Sequence, residues 1–414
     1  MPKADGRSVP SIAPTERVVF VTMEGLDGSV AASQVLARCD QLEADGHGVR
    51  LVCGCMTLAS FRRTLQIASS RNADRSSQQV WVFRAMRPSI PGSWVVNSII
   101  LLFMVWWIRG NGSVIHARTD VAAAASMLAK YLLGCPLVWD VRGDAVSELM
   151  ADSPGQSGRR RLVHKVRVIQ AKLHRAIASK ACDAAICVSR ELERLIRPSL
   201  VATPAIVIPC AAPETMFHFD SDLQSVYRSR NGISESDVVL VFAGAWAPWQ
   251  CVDQVVDIMS TLVRGVPDVR CLIATPDAGR VCRLIPTDVA HAFSVKALAH
   301  KEVPEWLCIA DFAFLLRESS PINWVASPIK FAEYSMSGLH VVTGSAVEQV
   351  NDIGQRLSNL IRPEELPDRV RAGRPEQSTR NRIAATARSI MGQASQAERY
   401  LVTYSLARRR AQSD

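Results

Sequence analysis

Short apolar runs alternate with longer helical patterns through the first half of the chain. The pattern predicts strands at residues 18–22, 49–53, 80–83, 113–116, 137–140 and 184–188. It predicts helices between them at residues 30–42, 95–108, 120–133, 160–180 and 189–196. Strands that alternate with helices in this way pair in parallel through right-handed crossovers. The first half is therefore expected to be one doubly wound α/β domain.

A second series of the same kind follows. A strand at 205–208 leads into a polar, irregular segment, and the domain boundary is placed at residues 205–220. Further strands are predicted at 238–242, 269–273, 312–316 and 340–343, with helices at 252–263, 303–309 and 328–337. The sequence thus predicts two tandem Rossmann-like domains, 18–204 and 205–385, with a cleft between them. Residues 1–17 are expected to form a flexible arm, and the helical segment 386–414 could return to the first domain.

The composition is that of a globular protein. Of the 414 residues, 48% are hydrophobic and 21% are charged, which suits a chain with two cores. The eleven cysteines are scattered between Cys39 and Cys308, and neither close pair has the second cluster that a zinc site needs. The first seventeen residues lack the apolar segment of a secretory signal. A cytoplasmic protein with reduced thiols is therefore expected.

Residues 95–108 form the most apolar stretch of the chain. A helix of this length covers only about 21 Å, which is less than the roughly 30 Å hydrocarbon core of a bilayer. We therefore expect a buried or surface-docked helix that does not span a membrane, with Trp106 and Trp107 at the end that contacts water.

The net charge of +9 favours an anionic partner. Between Arg159 and Lys180 the chain has eight Lys or Arg residues and no acid. This run is either a solvated helix face or a docking surface for anionic lipid headgroups or a lipid-diphosphate acceptor. Peripheral contact with the inner face of the plasma membrane is thus one of two open interpretations. Nucleic acid is not expected as a partner, because no known binding motif or aromatic-interleaved basic patch appears.

The segment 326–342 combines helix-capping residues with candidate ligands. Ser327 is placed to cap a helix, Pro328 suits its first turn, and Gly338 suits its end. The free amides of such a helix start favour a diphosphate. Lys330 can add a cation, and Glu333 can accept hydrogen bonds from ribose hydroxyls. The alternative is a well-capped helix with an exposed, salt-bridging Glu333.

This segment resembles the donor-site signature of retaining, family 4-like glycosyltransferases (glycosyl transferases group 1), in the form S-P-x-K-F-x-E-Y followed by G-x-x-V-V. Five further segments resemble motifs of that family in the same order. They are the glycine loop in Thr22–Ser29, H-A-R in Ile115–Arg118, D-x-R-G in Trp139–Gly143, the V-S helix start in Cys187–Glu191, and E-V-P-x-x-L-x-x-A-D in Glu302–Asp311. The resemblance implies the GT-B architecture, in which two Rossmann-like domains face an interdomain cleft.

The resemblance also implies roles for individual residues. The second domain would bind the nucleotide sugar and the first the acceptor, with retention at the anomeric carbon and with no obligatory metal or other cofactor. Glu333 would hold the ribose, and Lys330 would face the diphosphate together with the helix start, which comprises Ser327, Pro328 and Ile329. His116 would reach the donor sugar from the first domain. The loop from Gly25 to Gly28 would close over the phosphates or the sugar.

The sequence departs from the family pattern at two places. Many relatives carry a second Glu where this chain has Val325. They also carry an Arg and a Lys in the loop after the first strand of the second domain, where this chain has Gly244–Gln250 and no cation. The expected substitutes for these cations are Lys330, Arg142 and Arg317.

Two residues of the atypical loop are still expected at the donor. They are Gly244 and Trp249, and Trp249, like Trp246, would either stack on the nucleobase or plug the loop.

The predicted function is therefore transfer of a sugar from a nucleotide sugar to a carbohydrate, lipid-linked or small-molecule acceptor, with cell-surface polysaccharide or glycoconjugate synthesis as the expected pathway. Two alternatives stay open. A nucleotide-sugar epimerase has the same two-domain plan but needs extra acid/base carboxylates, and the sequence shows no such cluster. A non-catalytic GT-B relative would bind a nucleotide sugar or a partner transferase, and Val325 and the cation-free loop favour it.

Overall fold

The computed structural model describes residues 16–28, 32–73, 79–151 and 158–413. They form two α/β domains, each built on a parallel sheet with helices on both faces. The strands of the first domain are β1 Arg17–Thr22, β2 Gly48–Cys55, β3 Gln79–Arg84, β4 Val114–Arg118, β5 Leu137–Val141, β6 Ala184–Cys187 and β7 Ala205–Val207. Its helices are α1 Ala37–Ala44, which a π-helical turn at Ala32–Leu36 precedes, α2 Leu58–Ala73, α3 Ser93–Ile108, α4 Thr119–Ala125, α5 Met127–Leu133, α6 Ala145–Ala151, α7 Arg159–Ala181 and α8 Arg190–Ile196.

In the described part of the chain, the first sheet has seven parallel strands in the order β3-β2-β1-β4-β5-β6-β7. Strands β4, β5 and β6 are buried along their whole length, as expected for parallel strands that helices cover on both faces. The strand order reverses between β1 and β4, where Phe20 is in register with His116. Ligands of doubly wound sheets bind outside the carboxyl ends of the strands at such a switch point.

The second domain repeats this plan. Its strands are β8 Val238–Ala243, β9 Val269–Ala274, β10 Phe293–Lys296, β11 Phe312–Phe314, β12 His340–Val342 and β13 Leu360–Ile361. Its helices are α9 Ser221–Arg230, α10 Val252–Gly265, α11 Ala278–Cys282, α12 Val303–Ile309, α13 Pro321–Trp324, α14 Ile329–Met336, α15 Glu348–Leu357, α16 Leu366–Arg371 and α17 Gln377–Met391. Among the residues described, the strand order is β10-β9-β8-β11-β12-β13, so the switch point lies between β8 and β11.

The chain passes between the domains twice. It leaves the first domain through residues 208–212 and returns after α17 to form α18, Ala397–Ala411, against the first sheet. The two passages lie side by side, because Ala212 pairs with Gly392 in a parallel β-bridge. Tyr400 and Tyr404 of α18 are buried in the core of the first domain.

The structure corrects two of the predicted boundaries. The strand at 205–208 belongs to the first domain, because Ala205–Val207 pairs with β6, so the second domain does not begin at residue 205. The arm was predicted to reach residue 17, but Arg17 opens β1 and Glu16 pairs with Arg408. Residues 1–15 of the arm, and residues 29–31 at the predicted start of the first helix, lie outside the described residues. Within the described ranges, no helix is long and apolar enough to cross a membrane.

Candidate active site

Two of the predicted donor groups lie at the carboxyl edge of the second sheet. The loop Gly244–Gln250 follows β8, and Arg317 lies three residues after β11. Strands β8 and β11 are neighbours across the switch point. The topology therefore brings the loop and Arg317 to the position where doubly wound sheets bind ligands.

Gly244 is closely packed at the start of this loop. Its N–H donates to the carbonyl oxygen of Ala274 at 3.0 Å. A Cβ atom at this position would collide with the side chain of Gln250. The absence of a side chain therefore lets the loop fold back on itself directly after β8.

The two tryptophans of the loop have different environments. The backbone N–H of Trp246 donates to the Asp277 carboxylate at 2.7 Å, and the Arg280 guanidinium lies 4.0 Å from the centre of the Trp246 ring. Trp246 thus plugs the loop. Trp249 is 46% exposed, so its ring has open surface on which a base could stack.

Arg317 is a partly buried cation without a counter-ion. Among the described residues, no acidic side chain pairs with it, and its Nε has no hydrogen-bond partner. Burial lowers the pKa of Arg317, and the neighbours that oppose this shift are Tyr334 and Cys251. Burial raises the pKa of both neighbours, so they are neutral near pH 7. A buried charge that lacks a partner costs several kcal/mol, roughly, and an anionic ligand would offset that cost.

The helix predicted at residues 328–337 begins one residue later than expected. Helix α14 begins at Ile329, with Pro328 as its N-cap residue and no side-chain cap. The Ser327 hydroxyl instead accepts the N–H of Cys210 in the passage between the domains, at 3.0 Å. The prediction that Ser327 caps the helix is therefore wrong. Among the described residues, no side chain accepts the amides of Ile329 and Lys330 in the first turn.

Helix α14 is hydrogen-bonded to the carboxyl end of β8. The Tyr334 hydroxyl accepts the N–H of Ala243 at 3.0 Å and lies 3.2 Å from the carbonyl oxygen of the same residue, to which it can donate. Ala243 is the last residue of β8. The start of α14, the loop after β8 and Arg317 therefore belong to one edge of the second domain.

Lys330 and Glu333 of this helix form a connected group with His300, which lies in the turn before α12. Lys330 Nζ donates to Glu333 Oε2 at 2.7 Å, and His300 Nε2 lies 3.6 Å from Glu333 Oε1. Burial alone would raise the pKa of the Glu333 carboxyl, but Lys330 and His300 together hold it below its usual range. Glu333 is buried, in contrast to the exposed Glu of the alternative interpretation. Its carboxylate fixes the position of the Lys330 ammonium.

The glycine loop of the first domain lies at the carboxyl end of β1. Gly25 has a φ of +74°, which favours glycine, and the Leu26 N–H next to it donates to Thr64 Oγ1 at 3.0 Å. Gly28 has open space around its Cα atom. Glu24 forms an ion pair with Arg118 at the end of β4. The loop is thus anchored at Gly25 and open at Gly28.

His116 lies in the core of the first domain and does not reach the cleft. Its side chain is fully buried, with Nδ1 3.1 Å from the Tyr404 hydroxyl and Nε2 3.2 Å from Asp140 Oδ2. Its ring stacks on Phe20 at 4.3 Å between ring centres. Burial lowers the pKa of His116 below its ordinary value. The donor contact implied for His116 must be corrected, because its face of β4 is covered by α18.

Arg142 connects the edge of the first domain with the start of α14. Its Nη2 lies 2.7 Å from Asp140 Oδ2, and its Nη1 lies 3.9 Å from the sulfur of Cys210. Burial would raise the pKa of Asp140, but Arg142 and His116 hold it well below the usual range. Because the backbone of Cys210 also binds Ser327, the two predicted donor residues Arg142 and Ser327 meet at Cys210.

The sequence analysis missed two positions that matter to this site, His300 and Cys210, and did not predict the surroundings of a third, Val325. His300 precedes the E-V-P motif, and only its spacing to that motif hints at the site. Cys210 lies in a segment read as irregular. Val325, where relatives carry a Glu, is buried in the core cluster of the first domain, and its carbonyl oxygen accepts the Ser189 hydroxyl at 2.7 Å. This position is therefore a domain contact with no opening to the cleft.

The described residues include no group of three or more His, Cys, Asp or Glu side chains that could hold a metal ion. A cavity of about 400 Å³ lies at the opposite, amino edge of the first sheet, where Arg17, Arg50 and Ser113 are among its lining residues. None of the predicted site residues lines it.

Solved structures share this fold at low sequence identity. A glycosyltransferase from Rickettsia africae ESF-5 superposes with a TM-score of 0.68 and 11% identity, covering 95% of this chain and 99% of that chain. HepE from Anabaena in complex with UDP gives a TM-score of 0.66 and 15% identity, covering 94% and 99%, and HepE is also solved with UDP-glucose. A putative UDP-N-acetylglucosamine 2-epimerase from Listeria monocytogenes gives 0.57 and 11%, covering 94% and 96%.

No protein-family model matches the sequence, and no curated protein matches it. At these identities the structural likeness shows the fold alone. The two parallel sheets with helices on both faces have the GT-B architecture, which confirms the predicted α/β fold class.

Proposed function

We propose that the protein is a glycosyltransferase that moves a sugar from a nucleotide-sugar donor to an acceptor hydroxyl. The observation that carries this proposal is Arg317, a partly buried guanidinium without an acidic partner among the described residues, at the switch point of the second sheet. GT-B neighbours of this chain include glycosyltransferases, and HepE has been solved with UDP-glucose. A diphosphate is the anion that fits both observations.

The diphosphate would be held by three groups of the second domain. Arg317 supplies a charge that no carboxylate of the described residues neutralises. The uncapped amides of Ile329 and Lys330 point along the helix dipole of α14, which favours an anion at its start. Lys330 supplies a second cation, which Glu333 orients. These groups replace the Arg and Lys that the loop Gly244–Gln250 lacks.

In the proposed reaction, the bond from the anomeric carbon to the diphosphate oxygen breaks, and a bond from the acceptor oxygen to that carbon forms. The proton of the acceptor hydroxyl leaves with the nucleoside diphosphate. Negative charge builds up on the departing diphosphate, so fixed cations beside it stabilise the transition state. We propose that Arg317 and Lys330 supply this charge without an obligatory metal, and that the configuration at the anomeric carbon is retained, as the family resemblance implies.

The acceptor would bind on the first-domain side of the cleft. The open Gly28 and the Arg142 side chain lie at the carboxyl edge of that domain. We propose a carbohydrate, lipid-linked or small-molecule acceptor, and a role in cell-surface polysaccharide or glycoconjugate synthesis in the cytoplasm, at the inner face of the plasma membrane.

The test begins with a thermal-shift screen of nucleotide sugars on the wild-type protein. The best donor is then used to compare wild type with the variants Lys330→Ala and Glu333→Ala. We expect loss of the thermal shift and a fall in nucleoside-diphosphate release of about a hundredfold or more for Lys330→Ala. Lys301→Ala is the matched control, because Lys301 is an exposed lysine on the neighbouring turn. Wild-type turnover by both site variants would contradict the proposed site.

The same assay separates transfer from the two alternatives. Release of nucleoside diphosphate that depends on an added acceptor or on membranes supports transfer. Conversion of the donor sugar to its epimer without an acceptor would support an epimerase, with which the chain shares its fold. A thermal shift without any chemical change of the donor would support a non-catalytic binding protein.

A further inference from the structure

Helix α3 is apolar on the side that faces solvent as well as on the side that faces the core. Its buried side includes Leu101, Val105 and Ile108. Its exposed side carries Ile99, Phe103, Trp106 and Trp107, at helical spacing, and Trp107 is 78% exposed. One apolar stripe is what a surface helix needs for its own domain. The second stripe on α3 has no partner among the described residues.

Helix α5 extends this apolar surface. The carbonyl oxygen of Leu133, at the end of α5, accepts the Arg109 guanidinium at 2.7 Å, and Arg109 follows directly after α3. The ends of the two helices therefore lie together. Tyr131 and Leu132 near the end of α5 are exposed by 60% and 67%. They join the two tryptophans in one exposed aromatic and aliphatic patch.

Helix α7 lies next in the same layer and adds positive charge. It packs on α4 and α5. Its exposed face alternates apolar with basic side chains, so that Leu162, Ile169 and Leu173 lie among Lys165 and Lys172. Neither α3, α5 nor α7 contains an acidic residue. Together, the exposed sides of α3, α5 and α7 form one surface, the basic-apolar face.

The combination of basic and apolar side chains on the basic-apolar face favours an anionic bilayer over a protein as its binding partner. In a symmetric dimer built on this face, the same patch would lie on both sides, so Lys165 and Lys172 would meet helices that carry no acidic residue. Protein interfaces are also depleted in lysine at their centres. A bilayer surface, by contrast, takes up tryptophan and tyrosine at the headgroup level, and anionic lipids attract clustered lysine and arginine.

We propose that the basic-apolar face lies flat on an anionic membrane. Phe103, Trp106, Trp107 and Leu132 enter the interfacial region, and Lys165 and Lys172 contact lipid phosphates. The face begins beside the carboxyl edge of the first sheet, where Leu162 lies in the first turn of α7, and ends at the amino edge with the tryptophans. A membrane on this face therefore runs past the mouth of the cleft. Access of a lipid-linked acceptor from this side rests on the proposed function, whereas binding to the bilayer does not.

Co-flotation with vesicles tests the proposal. The probes are vesicles of phosphatidylcholine alone and vesicles with about one-third phosphatidylglycerol, each at low and at high salt. We expect the wild type to bind the anionic vesicles at least tenfold more strongly than the neutral ones, and high salt to weaken binding. Trp106→Ser/Trp107→Ser and Lys165→Glu/Lys172→Glu should each reduce binding to anionic vesicles about tenfold or more.

Matched controls come from the second domain. Leu223→Ser/Leu284→Ser removes two exposed apolar side chains, and Arg283→Glu/Lys301→Glu reverses two exposed charges. Both should bind vesicles like the wild type. Donor turnover with a soluble acceptor should not change in any of these variants, which separates failure of this proposal from failure of the proposed function.

Three outcomes would overturn the proposal. They are absence of wild-type binding to anionic vesicles, equal loss in the control variants, and a dimer in solution that Trp106→Ser/Trp107→Ser dissociates. The last outcome would assign the face to a second copy of the chain.

Discussion

Strand β11 has a buried carboxylate near one end and a partly buried guanidinium near the other, and the surroundings of these two charges differ. Asp311 immediately precedes the strand and lies within 3.5 Å of three guanidinium groups, those of Arg228, Arg374 and Arg380. It also accepts the backbone N–H of Val239 at 2.9 Å. Arg317, three residues beyond the other end, has no acidic partner among the residues described.

The difference separates a charge with a structural role from one that we propose to bind a ligand. At the amino edge, three arginines surround the single carboxylate of Asp311. The protein's own side chains therefore neutralise this charge and leave no place for a ligand. At the carboxyl edge no acidic side chain of the described residues pairs with the partly buried cation, although removing an unpaired charge from water is costly. Asp311 belongs to the E-V-P-x-x-L-x-x-A-D motif, so that motif marks the closed end, and Arg317, which no family motif includes, marks the open one.

Removing the acid should have the largest effect. In Asp311→Ala, three arginines lose their shared carboxylate, and breaking a buried ion pair in this way costs about 3–5 kcal/mol. Urea unfolding should show a loss of this size in the free energy of unfolding. Asp288→Ala is the control, because Asp288 pairs with Arg264 on the surface, and its stability should stay close to that of the wild type. Equal stability of both variants would show that the amino edge is not a structural ion cluster.

Removing the unpaired cation should affect turnover instead of stability. We expect Arg317→Met to lower kcat/KM for the nucleotide sugar by about 10²–10³-fold. Its free energy of unfolding should be unchanged or higher, because an uncompensated buried charge is lost. Arg283→Met, on the exposed surface of the same domain, should turn over like the wild type. A destabilised Arg317→Met protein with normal kcat/KM would remove the contrast between the two ends of β11.

The amino edge should also give a pH dependence through His340. This residue is in register with Phe312, beside Asp311, and burial together with Arg369, Arg380 and Arg382 lowers its pKa to about 4. Because the pKa of His340 is lower in the folded than in the unfolded protein, the unfolded state binds a proton first as the pH falls. The free energy of unfolding is therefore highest above the unfolded pKa of about 6.5 and decreases as the pH falls towards 4. Between pH 7 and pH 5 the loss from His340 should be about 2 kcal/mol.

The measurement compares wild type with His340→Gln in urea at both pH values. The other titrating groups contribute equally to both proteins, so the variant should lose less stability on acidification than the wild type. Identical losses would mean that His340 is not held neutral at this edge.

The smallest effect is expected in the first domain. Tyr404→Phe removes one hydrogen bond from the buried His116 and should cost about 1 kcal/mol. Turnover should be unchanged, because His116 is held in the core away from the donor. If Tyr404→Phe had normal stability but greatly reduced turnover, His116 would have to contribute to catalysis.

The alternation of strands and helices, and hence the fold class, could be predicted from the sequence, because buried parallel strands give uninterrupted apolar runs. Strands β10 and β13 were not predicted, because β10 is only partly buried and β13 has two residues. Helix α2 was missed because only Thr64 and Ala68 in it are buried, which leaves almost no apolar period. Strand β7 was given to the wrong domain because three residues carry no information about their neighbour in the sheet. Pairing is a tertiary property, and it was visible only from the contact with β6.

The candidate site was predicted in part, for the same reason. The helix with Lys330 and Glu333 follows from its local pattern, and the structure adds that these two side chains contact each other. His116 shows the limit, since a histidine motif at a strand end does not reveal which face of the sheet the ring lies on. The partners that decide its position, Tyr400 and Tyr404, are more than 280 residues away in sequence.

The two connections between the domains, at residues 208–212 and 392–396, lie next to each other, and this arrangement limits how the domains can move. Two covalent connections that lie side by side resist sliding and twisting of the domains more than a rotation about the line that joins Ala212 and Gly392. Sliding and twisting of one domain against the other would have to stretch both connections. Any closure of the cleft that brings the Arg317 edge towards the Arg142 edge is thereby guided along this rotation, and a chain cut after Met391 would lose this guidance together with its last helix.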